Sequence, residues 1–114
     1  MRRGEVWTVA GAGDYAGKPR PVVIVQDNSF EDLDSLVVCP FTSDLTEVPL
    51  FRLPVEPNPN NGLRAACCLM VDKVTAVPKS KIGQRIGSLD AADLVRLNRS
   101  ILVFLGLAAT SRGG

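Results

Sequence analysis

The chain has 114 residues, of which 46% are hydrophobic, and a formal net charge of +1. This length suits one compact domain and is too short for two, and the apolar content excludes a disordered protein. No run approaches the roughly 20 apolar residues of a membrane span, and the basic N-terminus lacks the apolar stretch of a signal peptide, so we expect a cytoplasmic protein with no membrane partner.

The first half of the chain predicts three strands separated by loops. Residues 4–10 are predicted to form a strand, and a loop containing Gly and Pro follows over residues 11–19. Residues 21–26 are a short, largely β-branched run, which is typical of a buried strand. A third strand is predicted over residues 35–42, where Pro40 indicates a bulge or an edge because proline has no N–H to donate.

The second half predicts further strands around one long loop. Residues 48–54 are predicted to form a shorter strand, and residues 54–62 consist of turn-forming residues and are predicted to be a surface loop. Residues 65–77 are the longest strand candidate, and residues 82–86 predict one more.

A single helix is predicted from Asp90 onward. Asp90 is placed to cap its N-terminus, and Leu89 is placed to pack against Leu94 as a hydrophobic staple. Apolar residues then recur at helical spacing, namely Leu94, Leu97, Ile101 and Leu105. We expect one domain over residues 1–109 and a disordered tail over residues 110–114.

Five or six short strands followed by one helix predict a mainly β fold with a C-terminal helix. The strands would form a small, strongly bent sheet or barrel against which the helix packs. Strands and helices do not alternate along the chain, so a parallel sheet is not expected.

The chemistry open to this chain is limited by its lack of histidine. Ser–His and Cys–His nucleophile systems are excluded, and no spacing of the three cysteines indicates a zinc site. We interpret the cysteines as buried apolar residues. A match to the dinucleotide-binding fingerprint over residues 11–16 is spurious, because Pro19 and Pro21 prevent the helix that it requires. We therefore expect no metal and no cofactor.

Four groups of residues, in this order along the chain, resemble the MazF/PemK family of toxins. The first combines Arg3-Gly4-Glu5-Val6-Trp7 with the segment from Gly17 to Val25, which contains Lys18-Pro19-Arg20-Pro21. The others are the segment Val38-Cys39-Pro40-Phe41-Thr42-Ser43, the segment from Val71 to Val77, and Ile86-Gly87-Ser88-Leu89. Together they cover most of residues 2–107.

The resemblance implies an SH3-like small β-barrel of the CcdB/MazF type that forms a homodimer. It also implies a metal-independent endoribonuclease that cuts single-stranded RNA at a short sequence and is inhibited by a cognate antitoxin lying across the dimer. The expected products are a 2′,3′-cyclic phosphate and a 5′-hydroxyl. Because the 2′-hydroxyl of the RNA is the nucleophile in that reaction, the protein has to orient the strand, move a proton and stabilise charge.

Three residues match catalytic positions of the family. Arg20 matches the Arg of its Arg-Pro motif, where a guanidinium would stabilise the phosphate charge; the alternative is a surface Arg paired with a carboxylate. Thr42 matches an active-site Thr, and the alternative is an ordinary strand Thr. Asp72 matches a carboxylate that some members use as general base beside an Arg two residues earlier. Here Met70 takes the place of that Arg, so Asp72 also fits a contact to a base edge or a pair with Lys73.

The predicted substrate-binding residues are Tyr15, Lys18, Ser43, Met70 and Lys73. Tyr15 fits a stacking contact with a base or a cover over the core. Lys18 fits a contact with a backbone phosphate or a solvated loop position.

Two other functions remain open. A CcdB-like toxin would share the fold and bind DNA gyrase without cutting RNA, and a non-catalytic SH3-like module would only bind a partner. CcdB-like proteins act through residues of the C-terminal helix, so the segment from Lys18 to Pro21 favours the ribonuclease.

Overall fold

The computed structural model describes residues 1–10, 18–47 and 50–109. Within these residues there are seven strands and one α-helix: β1 Glu5–Val9, β2 Arg20–Ile24, β3 Ser35–Thr42, β4 Arg52–Val55, β5 Cys67–Met70, β6 Thr75–Pro78, β7 Ile82–Ser88 and α1 Ala91–Phe104. Short 3-10 turns occupy Asn28–Phe30, Val71–Lys73 and Lys79–Lys81. The predicted tail over residues 110–114 lies outside the described residues. No helix in the described ranges is long and apolar enough to cross a membrane.

All strand pairs are antiparallel, and the strands follow the order β4-β5-β3-β2-β1-β7, with β6 also paired to β3. The prediction of a mainly β fold with a C-terminal helix is confirmed. Within the described residues, however, β4 and β7 at the two ends of this order do not pair with each other. The sheet is therefore open, and the expectation of a barrel is met only in part.

Strand β3 changes its partner at Pro40. On one side it pairs with β6 as far as Val38 and with β5 from Phe41 onward. The amide of Val25 donates to the carbonyl of Val37, so the backbone groups of Val37 face β2. Successive residues of a strand direct their backbone groups to opposite sides, so the nitrogen of Pro40 faces away from β2, toward the gap between β5 and β6.

The predicted bulge or edge at Pro40 is wrong, because β3 is an internal strand whose register with β2 continues through Pro40. The missing N–H is tolerated because, among the described residues, neither β5 nor β6 pairs with Pro40 on the other side of β3. The single strand predicted over residues 65–77 is wrong, because the chain turns through Val71–Lys73 opposite this gap.

The sheet buries apolar side chains on both faces. Alternation along the strands directs one set toward α1, including Val6, Val23, Phe41, Leu53 and Leu69. The set on the opposite face comprises Val9, Val22, Ile24, Leu36 and Val38. The sheet therefore has two distinct faces. The strand register shows on which face a polar residue near a strand end lies.

Helix α1 packs on the first of these faces through its predicted apolar residues. Leu97 is fully buried, and Leu94 and Ile101 pack against the same cluster, which also contains Leu89. The periodicity prediction is confirmed for these residues. It is wrong for Leu105, which lies just beyond the last helical residue and is 60% exposed.

The loop between β4 and β5 is held by a group of polar residues that we call the asparagine clamp: Asn58, Asn60, Asn61 and Asp90. Asp90 precedes the first helical residue as predicted, but its side chain does not cap the helix amides. Its carboxylate instead accepts hydrogen bonds from the side chains of Asn58 (2.9 Å) and Asn60 (3.0 Å). These two competing donors explain why the expected cap is absent.

Asn61 contradicts the prediction that the whole of residues 54–62 is a surface loop, because it is completely buried. Its Oδ1 accepts from the amides of Asn58 and Leu63, and its Nδ2 donates to the carbonyl of Glu56. A buried amide with this many internal partners satisfies the turn in place of water. The amide of Ser88 in β7 donates to the carbonyl of Asn60 (2.8 Å), so the loop bridges the opening between β4 and β7.

Candidate functional site

Arg20 begins β2, where it lies opposite Val9 of β1. Proline on each side of it, Pro19 and Pro21, restricts the backbone φ angles and fixes where the side chain leaves the chain. The side chain is half-buried. Its position at the end of a paired strand confirms that this residue is held by the sheet, whereas its catalytic role stays a prediction.

Thr42 ends β3 opposite Cys68 of β5. The β2–β3 register pairs Val22 with Pro40, and Arg20 and Thr42 each lie two residues further toward the same end of this ladder. Since residues two apart share a face of a strand, the structure brings Arg20 and Thr42 to one end and one face of the β2–β3 pair. This face is opposite α1.

The same face continues across β5 and β4. Met70 lies two residues from Cys68, and Arg52 is the cross-strand partner of Met70. Their strand neighbours Leu53 and Leu69 point to the side of α1. We call the surface formed by Arg20, Thr42, Met70 and Arg52 the arginine face.

Asp72 reaches the arginine face from the 3-10 turn after β5. Its two carboxylate oxygens accept hydrogen bonds from Nε (2.9 Å) and Nη2 (3.1 Å) of Arg52. These hydrogen bonds and the charge of Arg52 hold the pKa of Asp72 below its ordinary value, and they raise the pKa of Arg52. Arg52 is therefore the hydrogen-bonding partner of Asp72, and not Lys73, which was one of the alternatives left open.

Arg52 was missed by the sequence interpretation. It lies 18 residues before its cross-strand partner Met70, and nothing local links the two. The available signal was a base and an acid in neighbouring predicted strands, but it required the register of β4 against β5. The loop that joins these two strands contains the asparagines of the asparagine clamp, whose fold the sequence pattern did not predict.

Asp44 and Cys39, which interact electrostatically with the Arg52–Asp72 pair, also have shifted pKa values. Hydrogen bonds from Thr46, with a smaller contribution from Arg52, lower the pKa of Asp44. Burial raises the pKa of the Cys39 thiol to about 12, with a further contribution from Asp72. All three cysteines are free. Cys39 and Cys68 are buried, which confirms the interpretation as buried apolar residues for these two, whereas Cys67 is only half-buried.

The predicted substrate-binding residues are only partly brought together. Met70 belongs to the arginine face, and Ser43 follows Thr42 as an exposed residue. Lys18 and Lys73 are exposed, and no hydrogen bond or ion pair connects either to the arginine face among the residues described. Tyr15 lies outside the described residues, so its contact stays a prediction.

A wider groove of about 330 Å³ lies on the side of the helix. It is lined by Leu50, Leu53, Arg96, Arg99, Ser100 and Val103. A smaller cavity of about 100 Å³ lies between the turn at Asp72 and the end of α1, with Ile101 and Phe104 in its wall. None of the predicted site residues other than Asp72 lines either space.

Comparison with known proteins places the chain in one group. The model of the family described as PemK-like, MazF-like toxin of type II toxin-antitoxin system matches residues 2–105. A curated relative, the probable endoribonuclease MazF of Mycolicibacterium smegmatis, is 50% identical over 108 residues, which cover 95% of this chain and 99% of the relative.

Solved structures share the fold at lower identity. An endoribonuclease in complex with its cognate antitoxin from a mycobacterial species has a TM-score of 0.76 and 21% identity over 96% of this chain and 99% of that one. A MazE–MazF structure from Deinococcus radiodurans has a TM-score of 0.78 and 16% identity over 95% of this chain and 98% of that one. At these identities the likeness concerns the fold alone.

Proposed function

Because the chain belongs to the PemK-like, MazF-like toxins of type II toxin–antitoxin systems, we propose that it is an endoribonuclease. It cleaves single-stranded RNA at a short nucleotide sequence, and the arginine face is the proposed site of cleavage. The 50% identity to a probable endoribonuclease supports the activity. The observation that carries the site is the placement of Arg20 and Thr42 at one end and on one face of the β2–β3 pair.

The proposed reaction uses the RNA's own 2′-hydroxyl as nucleophile and needs no metal. Its oxygen attacks the adjacent phosphorus, the bond to the 5′-oxygen breaks, and the products are a 2′,3′-cyclic phosphate and a 5′-hydroxyl. Negative charge grows on the non-bridging oxygens during this step. Arg20 is suited to stabilise that charge, because a guanidinium presents several fixed N–H donors to a phosphate.

Thr42 supplies a second donor in this proposal. Its Oγ1 already accepts a hydrogen bond from the amide of Asp44 (3.1 Å). This contact fixes the oxygen and leaves the hydroxyl hydrogen for an acceptor such as a phosphate oxygen. Asp72 is the carboxylate that adjoins these donors, and both of its oxygens bind Arg52.

The RNA strand would extend beyond these residues. Ser43 and Met70, which adjoin Thr42 and Asp72, are proposed to contact the nucleotides next to the cut. Lys18 and Lys73 are proposed to contact backbone phosphates, and Tyr15 to stack on a base.

We further propose that the chain acts in the cytoplasm as a homodimer inhibited by a cognate antitoxin. The mycobacterial endoribonuclease and the Deinococcus radiodurans MazF, both similar in fold, were each solved with an antitoxin partner. The open order of the sheet leaves β4 and β7 unpaired with each other within the described ranges, and a second chain or a peptide segment can pair with such edges.

Incubation of the purified chain with a long single-stranded RNA in EDTA tests the activity. Discrete fragments whose 5′ ends carry a hydroxyl and follow one short sequence are expected. No discrete cuts in any of several RNAs would contradict the ribonuclease. Inhibition of DNA gyrase without cuts would instead favour a CcdB-like toxin, and neither activity would favour a binding module.

A further inference from the structure

The guanidinium of Arg52 is held in a fixed orientation but is only partly used. Nε and Nη2 donate to the two oxygens of Asp72, and the guanidinium carbon lies 5.9 Å from the centre of the Phe51 ring. Arg52 is 20% exposed and Asp72 24% exposed. The pair therefore lies at the surface, where a ligand can reach it.

The geometry of the pair leaves one edge of the guanidinium for a second acceptor. A guanidinium has five N–H donors in one plane, and the contact with Asp72 uses the edge that contains Nε. Nη1 makes no hydrogen bond to any residue in the part of the chain that the structure describes. Together with the second hydrogen of Nη2, it forms an edge that fits two oxygens of a phosphate.

The same geometry makes Asp72 a poor general base. Both of its oxygens already accept hydrogen bonds from Arg52, and its pKa is lowered by that contact. A general base works best when its pKa lies near the working pH. The carboxylate is better suited to hold Arg52 than to remove a proton from RNA.

Arg52 is also placed at a suitable distance from Arg20. Their strands are separated by β3 and β5 in the sheet order, and the registers place Arg52 two residues away from the level of Arg20 along the strands. At a strand spacing of about 4.8 Å and a rise of about 3.3 Å per residue, the two backbones are roughly 16 Å apart. The strand registers place both residues on the arginine face. Two long side chains over this span can hold two phosphates of one extended strand.

We propose that Arg52 binds an RNA phosphate next to the one held by Arg20, and that Asp72 is the positioning residue that orients Arg52 rather than the general base. The role in cleavage rests on the proposed ribonuclease function, whereas the phosphate contact can be measured without it.

The contact is tested by the salt dependence of binding to a mixed-sequence 2′-O-methyl RNA, which has no 2′-hydroxyl to react. Each phosphate contact to a single strand contributes about 0.7 to the slope of log affinity against log salt. Arg52→Gln is expected to reduce the slope by about this amount, and Arg52→Lys, which keeps the charge, is expected to retain it. The matched control is Arg99→Gln, which removes an exposed charge from α1 and should leave the slope unchanged.

The role of Asp72 is tested by the pH profile of cleavage. Asp72→Asn is expected to lower kcat/KM by less than about tenfold and to keep the acid side of the profile, because the group that titrates there is another one. A decrease in kcat/KM of more than about 100-fold, with disappearance of the fall in rate on the acid side of the profile, would show that Asp72 is the base. That result would overturn this part of the proposal.

The outcomes separate the two proposals. An unchanged salt slope in Arg52→Gln, with wild-type thermal stability, would overturn the phosphate contact even if the chain cuts RNA. A reduced slope in a chain that never cuts RNA would support the contact and contradict the ribonuclease.

Discussion

The asparagine clamp and the arginine face are both built from polar side chains, but they differ in how completely those side chains are used. In the clamp, Asn61 is fully buried, and both its donor and acceptor groups bind the protein. On the arginine face, Nη1 of the Arg52 guanidinium donates to no residue that the structure describes. The hydroxyl hydrogen of Thr42 likewise binds no described residue. The comparison separates polar residues that build the fold from those that are available to a ligand.

Glycine packing reinforces the difference. A Cβ on Gly62 would lie 2.0 Å from the carbonyl oxygen of Ile86, and a Cβ on Gly87 would lie 2.4 Å from that of Asn60. The clamp and β7 therefore approach each other too closely for any side chain. Changes in the clamp should reduce stability, and changes on the arginine face should reduce cleavage.

The largest effect is expected from Gly62→Ala. The residue has a φ of +72°, and the added Cβ would overlap the backbone of Ile86. Gly106→Ala is the matched control, because Gly106 has a φ of +76° with nothing within 4 Å of the added atom. We expect Gly62→Ala to lose at least about 3 kcal/mol more than its control in urea unfolding. Equal losses would show that the close approach does not hold the clamp to β7.

Arg20→Ala should reduce cleavage by at least about 100-fold, or roughly 2.7 kcal/mol in the barrier, because it removes a donor to the developing phosphate charge. Initial rates of RNA cleavage measure this, with circular dichroism to confirm the fold. Arg99→Ala serves as the control and should cleave normally. Near wild-type cleavage by Arg20→Ala would remove Arg20 from the mechanism.

Asn61→Ala should lower the free energy of unfolding by about 2 kcal/mol, since its backbone partners would be left buried and unpaired. Cleavage by the folded fraction should be unchanged. Asn98→Ala provides a comparison, because the buried Oδ1 of Asn98 has no hydrogen-bond partner within the described ranges. If both variants lose the same stability, the hydrogen bonds of the clamp are not the cause.

The smallest effect concerns pH. The folded-state pKa of Asp72 lies below its ordinary value of 3.8, so the stability contributed by its pair with Arg52 is present above 3.8. It is lost as the pH falls through the lower folded-state value. The difference in unfolding free energy between wild type and Asp72→Asn should therefore shrink between about pH 7 and about pH 3. A difference that grows with acidification would contradict the pairing.

The sequence predicted what local periodicity controls. The strands β1 to β3 follow from alternation and from short β-branched runs, and the apolar face of α1 follows from helical spacing. Pro40 marks the place where β3 changes its partner. Asn61 and Arg52 could not be predicted in this way. The burial of Asn61 depends on partners within a loop whose composition is typical of exposed turns. The contact of Arg52 with Asp72 depends on the register of β4 against β5, which no local pattern indicates.

Cleavage at the arginine face is proposed to proceed through attack by the strand's own 2′-hydroxyl. Its most direct test uses an RNA that carries one 2′-deoxynucleotide on the 5′ side of a mapped cut, with all other residues unchanged. The wild-type chain should leave that bond intact and still cut the same sequence elsewhere in the strand. Cleavage at the 2′-deoxynucleotide at an undiminished rate would contradict the account.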